Sequence, residues 1–434
     1  MKVPIRFGKG EVQVEIPDEN LAGVLRMNPL PPIEDPVGRV YEALENPIGS
    51  EPLSKLARGR SSACVVISDI TRPVPNRVIL PPILETLERS GIPRERITIL
   101  IATGIHRPNL GDELIELVGE EIASRYRIVN HYSQKPETHV YLGKTKRGTP
   151  VYIDKTYVEA DLKILTGLIE PHLMAGFSGG RKSICPGLCS IETMKYAHGP
   201  WLLEDKRSAP GILEGNPFHE EATEIAQMAG VDFILNVTLD EERRITGIFA
   251  GDLIEAYLEG VRHCEKGVKV LLDEPVDIVV TSSAGYPLDT TFYQAIKGAV
   301  GVMDIVKPGG TIILLAECRE GIGSEPFTDL MLRTEDLDKF VEDLYDLSKF
   351  TIDQWQFEEL VKVLRKAEVY CYSTGIDYET LGKLFVTPLR SPDEGVRMAL
   401  EKHGPGARVV AVPEGPYVLP MLRRGGDGGG RKET

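Results

Sequence analysis

Short apolar runs rich in Val and Ile recur along this chain, and stretches of helical length separate them. Cys64-Val-Val-Ile-Ser68, Ile97-Thr-Ile-Leu-Ile-Ala102 and Leu162-Lys-Ile-Leu-Thr166 have the length and β-branched content of buried strands. Residues 81–90 and 112–124 read as the helices between them. Such alternation predicts βαβ units and a parallel sheet covered by helices. The pattern continues with a helix over 218–228, a strand over 233–239 and a partner strand in 244–249, across the Asp240-Glu-Glu turn. A helix over 253–267 follows. A second set starts at Asp277-Ile-Val-Val-Thr281, with helices expected over 290–305, 335–349 and 357–366 and strands over 311–316, 369–372 and 408–412. The fold class expected is α/β: two α/β domains with mainly parallel sheets and the active site in the crevice between them. The expected boundaries are 1–270 for the N-terminal domain, 271–420 for the C-terminal domain and 421–434 for a flexible, glycine-rich tail.

The polar clusters of the chain sit just after its strands. Asp69-Ile-Thr-Arg-Pro-Val-Pro75 follows the first, Thr103-Gly-Ile-His-Arg-Pro108 the second, Glu170-Pro-His172 the third, and Ser282-Ser-Ala-Gly-Tyr286 the strand at 277–281. In open parallel sheets ligands bind beyond the carboxyl ends of the strands, so clusters distant in sequence can meet at one edge.

The densest chemistry lies in Glu170-Pro-His-Leu-Met-Ala-Gly-Phe-Ser-Gly-Gly-Arg-Lys-Ser-Ile-Cys-Pro-Gly187. Gly176, Gly179 and Gly180 let backbone approach a ligand without Cβ obstruction. Arg181 and Lys182 favour an anion, and like-charge repulsion from Arg181 should lower the pKa of Lys182, making it a nucleophilic amine. A Walker loop would need glycine where Arg181 stands, which argues against a nucleotide-hydrolysing phosphate loop. His106 and His172 each sit in a rigid frame after a strand, where an imidazole can remove and return a proton near neutral pH. Asp69 and Arg72 share a proline-stiffened turn; a guanidinium there can grip a carboxylate or phosphate, or the two can merely order the turn. His198, in Tyr196-Ala-His-Gly199, could ligate nickel, copper or zinc, but one histidine does not define a metal site. Gln294 and Lys297 are one helical turn apart and could point together at a ligand or into solvent. Trp355 suits either a core or a lid. His131, His139, His219, His263 and His403 are expected at the surface or as caps.

Bulk properties narrow the function class. A net charge of −15 and a pI near 5.2 argue against general nucleic-acid binding. No window has the apolar length of a membrane span, and the N-terminal residues alternate like a strand rather than like a signal peptide. The six cysteines lack zinc spacing and read as reduced core thiols. A cytoplasmic enzyme is expected, with homo-oligomerisation left open.

Taken together, Asp-x-Thr-Arg-Pro at 69–73, Gly-x-His-Arg-Pro at 104–108, Glu-Pro-His at 170–172, Gly-Phe-Ser-Gly-Gly-Arg-Lys-Ser at 176–183 and His198 resemble the nickel-dependent lactate racemase family. The Gln294/Lys297 pair and Trp355 extend the resemblance over most of the chain. Each motif is weak; their order is specific. The resemblance implies a nickel pincer nucleotide, that is, a pyridinium-3,5-bisthiocarboxylic acid mononucleotide holding Ni, bound covalently at Lys182 and completed by His198 as a metal ligand. It implies that Asp69, Ile70, Thr71, Arg72 and Pro186 line the cofactor, and that His106 and His172 are the acid/base pair. Arg72, Gln294 and Lys297, with Tyr293 and Trp355, would contact the substrate, a small 2-hydroxy acid with lactate as the default. Separate cofactor-biosynthesis enzymes would be partners. Two rivals remain: a nickel-free enzyme binding a phosphorylated small molecule through the Arg-Lys loop, and a non-enzymatic nucleotide-binding or nickel-storage protein.

Overall fold

The computed structural model describes residues 1–423. Two compact units emerge, one of Pro29–Gly267 and one combining Met1–Asn28 with the chain from Val268 onward.

In the Pro29–Gly267 unit, a six-stranded sheet runs in the order Ile245–Gly251, Phe233–Leu239, Leu162–Leu168, Ala63–Ser68, Ile97–Ala102, Arg127–Asn130. All neighbours are parallel except the first pair, the hairpin across Asp240. Its three central strands are almost wholly buried, which is why their sequences are continuous apolar runs rather than alternating ones. The helix expected over 81–90 starts earlier and spans Asn76–Arg89, carrying Pro81 and Pro82 inside it; burial of Ile79, Leu80, Ile83, Leu84 and Leu87 offsets the lost backbone donors. The single helix expected over 112–124 is two, Asp112–Val118 and Glu120–Arg125, broken where Gly119 takes φ +86°.

In the other unit, six strands are all parallel, in the order Thr387–Pro388, Ala367–Tyr372, Val306–Leu315, Val276–Ser282, Val409–Val412, Leu21–Val24. The chain therefore does not divide at a single point, in contrast to the expected first domain of 1–270. The hairpin of Lys2–Phe7 with Gly10–Glu15 buries Val3, Ile5, Val14 and Ile16 in one core with Ile278, Val280, Ile313 and Leu315. Leu21–Val24 then adds an edge strand beside Val409–Val412. At the other end, Met421 and Leu422 belong to the strand Leu419–Leu422, paired with Lys269–Leu272. The rest of the expected tail, 424–434, lies outside the described residues. No helix among the described residues is long and apolar enough to cross a membrane.

Candidate active site

The strands Ala63–Ser68, Ile97–Ala102 and Leu162–Leu168 are neighbours and parallel, so the loops that follow them emerge at the same edge. Side chains from all three loops meet there. Nδ1 of His106 lies 2.6 Å from Oδ2 of Asp69. The other carboxylate oxygen of Asp69 accepts from the backbone N–H and hydroxyl of Thr71, at 3.1 and 2.6 Å. Burial raises the pKa of Asp69, but the His106 charge, hydrogen bonds from His106 and Thr71, and the charge of Arg72 outweigh it and hold the carboxyl below its usual range. The backbone N–H of Ile70 donates to Asn109, 3.2 Å away, which fixes the loop from behind. Nε of Arg72 faces Glu170 at 3.5 Å.

The glycine-rich segment folds across this edge. Pro171–His172 and Gly176–Phe177 form a two-residue antiparallel ladder. Gly176 takes φ +74°, and a Cβ there would lie 2.3 Å from the Ile212 carbonyl oxygen, so glycine is required twice over. The N–H of Gly104 donates to the carbonyl of Gly187 at 3.0 Å, tying the His106 loop to the turn that carries Lys182 and Pro186. Nδ1 of His172 accepts from the N–H groups of Met174 and Ala175, both at 3.2 Å.

Arg181 and Lys182 part company. Arg181 is turned inward and buried, donating to the carbonyls of Ala175, Phe177 and Gly179 and to the hydroxyl of Tyr257. It braces the loop, and the double-cation anion site suggested by the sequence does not form. Lys182 is only partly buried, with Nζ 4.7 Å from the centre of the Phe218 ring. Desolvation lowers its pKa to about 7; the buried Cys185 opposes this, and the charges of Arg181 and Arg72 add to it. The direction expected from Arg181 alone is right, but burial is the larger cause. His198 caps the helix Ile191–Ala197 and meets the same Phe218 ring edge-on, with centroids 4.9 Å apart. Burial, and then the charge of Lys182, push the His198 imidazole well below its usual pKa, so it is neutral, the form that ligates metals.

Several residues of this site escape a sequence reading. Phe218, which joins Lys182 to His198, looks like any core aromatic. Asn236 accepts from the N–H of Gly180 at 3.1 Å; a lone amide in the apolar strand Phe233–Leu239 is the available signal. His131, expected at the surface or as a cap, is 1% exposed. Its ring sits between Asp154, at 3.1 Å, and the carbonyl of Cys189, at 3.0 Å. It is held inside because both of its nitrogens meet polar partners there. Asn76, first in the helix after the 69–75 loop, is buried, and neither end of its amide finds a hydrogen-bond partner.

Tyr293, Gln294, Lys297 and Trp355 belong to the other unit. The first three lie on the helix Phe292–Val302, and Trp355 on Gln354–Leu364. Nε1 of Trp355 donates to the Tyr293 hydroxyl at 3.2 Å, and Trp355 is buried, as core rather than lid. Oε1 of Gln294 is buried with no hydrogen-bond partner. All six cysteines are buried and free of disulfides, and no group of three or more His, Cys, Asp or Glu among the described residues could hold a metal ion.

Known proteins share the sequence pattern and the fold of this chain. The lactate racemase N-terminal domain family matches residues 7–211, and the lactate racemase C-terminal domain family matches 272–419. The lactate racemase of Thermoanaerobacterium thermosaccharolyticum is 33% identical, with 96% of this chain and 98% of the relative covered. That of Lactiplantibacillus plantarum is 36% identical, covering 96% and 99%. The solved lactate racemase apoprotein from T. thermosaccharolyticum superimposes with a TM-score of 0.90 at 34% identity, over 98% of this chain and 100% of that one. A Thermotoga maritima protein shares the fold at 18% identity, with a TM-score of 0.69 over 90% and 99%. The chain thus belongs to the lactate racemase family, whose matched curated members are isomerases.

Proposed function

We propose that this protein interconverts the stereoisomers of a 2-hydroxy acid, lactate by default, using a nickel pincer nucleotide attached covalently to Lys182. The observation that carries the reading is the shared Phe218 ring. It places an amine with a pKa near 7 next to a neutral, buried imidazole, at the sheet edge that also carries the Asp69–His106 pair. These residues fit the cofactor. A free amine can form the bond that tethers it, and one neutral histidine suffices where the cofactor brings its own sulfur and carbon donors. When bound, the cofactor supplies an acceptor for the C2 hydride.

The chain's own residues do the rest. His106, oriented by Asp69, takes the substrate hydroxyl proton, and His172 serves on the opposite face, as the resemblance implies. Arg72 offers a positive charge to the substrate carboxylate. Lys297 and Gln294 are proposed as further substrate contacts, with Tyr293 and Trp355 shaping specificity. Asp69, Ile70, Thr71, Arg72 and Pro186 are proposed to line the cofactor. The inward-turned Arg181 argues against the nickel-free phosphate-binding reading, since half of the supposed anion site is already satisfied by carbonyls.

The test is co-expression with cofactor-biosynthesis enzymes, followed by intact mass, nickel content and turnover of lactate, malate and larger hydroxy acids. A mass adduct and one nickel per chain are expected, both lost in Lys182→Ala. Loaded protein that turns over none of these acids would defeat the reading.

A further inference from the structure

The two histidines of this site are held in opposite ways, and the difference bears on which of them can accept a proton. At His106 the partner of Nδ1 is a carboxylate, that of Asp69, at 2.6 Å. A carboxylate accepts, so Nδ1 carries the hydrogen and Nε2 carries the lone pair. At His172 the partners of Nδ1 are two donors, the backbone N–H groups of Met174 and Ala175. Here Nδ1 must carry the lone pair, and Nε2 carries the hydrogen. Both arrangements are built in. Thr71 secures the Asp69 carboxylate, and the ladder of Pro171–His172 with Gly176–Phe177 forces the tight turn that aims the two N–H groups back at the ring.

Resting on the racemase reading, we propose that the resting site is asymmetric, with His106 poised as the proton acceptor and His172 held as the neutral Nε2–H tautomer, which donates a hydrogen bond from Nε2 but releases that proton only if Nδ1 gains one, and that Asp69 and the 172–175 turn are the positioning elements that set this polarity. For a substrate approaching His106, the hydroxyl O–H bond breaks and an N–H bond forms at Nε2 with no prior rearrangement. For one approaching His172, the hydrogen on Nε2 must first leave and Nδ1 must gain one. The N–H groups of Met174 and Ala175 then lose their acceptor and the turn has to open. The enantiomers have equal free energy in water, so kcat/KM must be the same in both directions. The asymmetry therefore shows only in how each direction divides that ratio between kcat and KM.

The experiment uses the full-length apoprotein labelled with 15N at histidine, with tautomers read from two-bond 1H–15N correlations and signals assigned through His106→Gln and His172→Gln. The expected pattern is an Nδ1–H ring at His106 and an Nε2–H ring at His172. Asp69→Asn should shift the His106 pattern toward the other tautomer and leave that of His172 unchanged. An Nδ1–H ring at His172, or a His106 pattern indifferent to Asp69→Asn, would overturn the proposal. Because the measurement needs neither cofactor nor turnover, the tautomer assignment and the racemase reading can fail independently. In loaded enzyme, kcat for the two lactate enantiomers should differ by several-fold at equal kcat/KM; equal kcat values would also count against the proposed polarity.

Discussion

Arg72 and Glu170, from the loops after two different strands, face each other at 3.5 Å, so the cation proposed to hold the substrate already has a carboxylate beside it. A bound 2-hydroxy acid must compete with that carboxylate. Glu170→Gln removes the competitor, a partly buried pair worth about 1 kcal/mol. Oxalate binding to the apoprotein, followed by calorimetry, should tighten by roughly three- to tenfold. Unchanged binding would show that Arg72 is not the anion's partner.

Lys182 should be a liability to the empty protein. Its folded pKa of about 7 lies below the ordinary 10.5, so the unfolded chain binds more protons between those values and stability rises with pH across that window. Lys182→Met should stabilise the apoprotein at pH 7 by on the order of 2–4 kcal/mol, and the advantage should shrink as pH approaches 10. Urea midpoints at the two pH values measure it.

Asp69 acts in the opposite sense. Its folded pKa is depressed, so its stabilisation is complete above the unfolded value near 3.8 and is lost as pH falls through the folded value. Asp69→Asn should lower stability by about 1–3 kcal/mol at neutral pH and match the parent in strong acid. Acid titrations of the two proteins, followed by circular dichroism, should converge.

Arg181→Met would take one donor from each of three carbonyls and from the Tyr257 hydroxyl, and leave the space of a buried guanidinium. A loss of roughly 3–5 kcal/mol is expected, as for breaking a buried charged network. A near-neutral thermal shift would mean that the guanidinium is not the brace of this loop.

Gly176→Ala should also destabilise, through both φ +74° and the 2.3 Å approach to the Ile212 carbonyl. At least ~1–3 kcal/mol is expected, read as a lower unfolding midpoint, with the loss confined to segments 170–183 and 205–216 in hydrogen exchange.

Much of this is legible along the chain. Runs such as Ile97–Ala102 can only be buried strands, and polar loops after parallel strands must share an edge, so the linear pattern alone groups Asp69, His106 and Glu170. The order of the motifs points to the family. Helix ends are less legible: Pro81 and Pro82 look like a start but sit inside Asn76–Arg89, because burial of one face outweighs two missing backbone donors.

What the amino-acid sequence determined by itself was the inventory: which runs are apolar, which loops carry chemistry and which lysine lies among glycines. Tertiary structure decided the pairings. It sent the N-terminal hairpin to the core of Ile278 and Ile313, turned Arg181 inward while leaving Lys182 toward Phe218, and gave His106 an acceptor but His172 two donors. Local pattern dictates burial and backbone conformation over a few residues. The partner of a buried polar group is set only when distant segments close on one another, and at this site that partner determines where each proton sits.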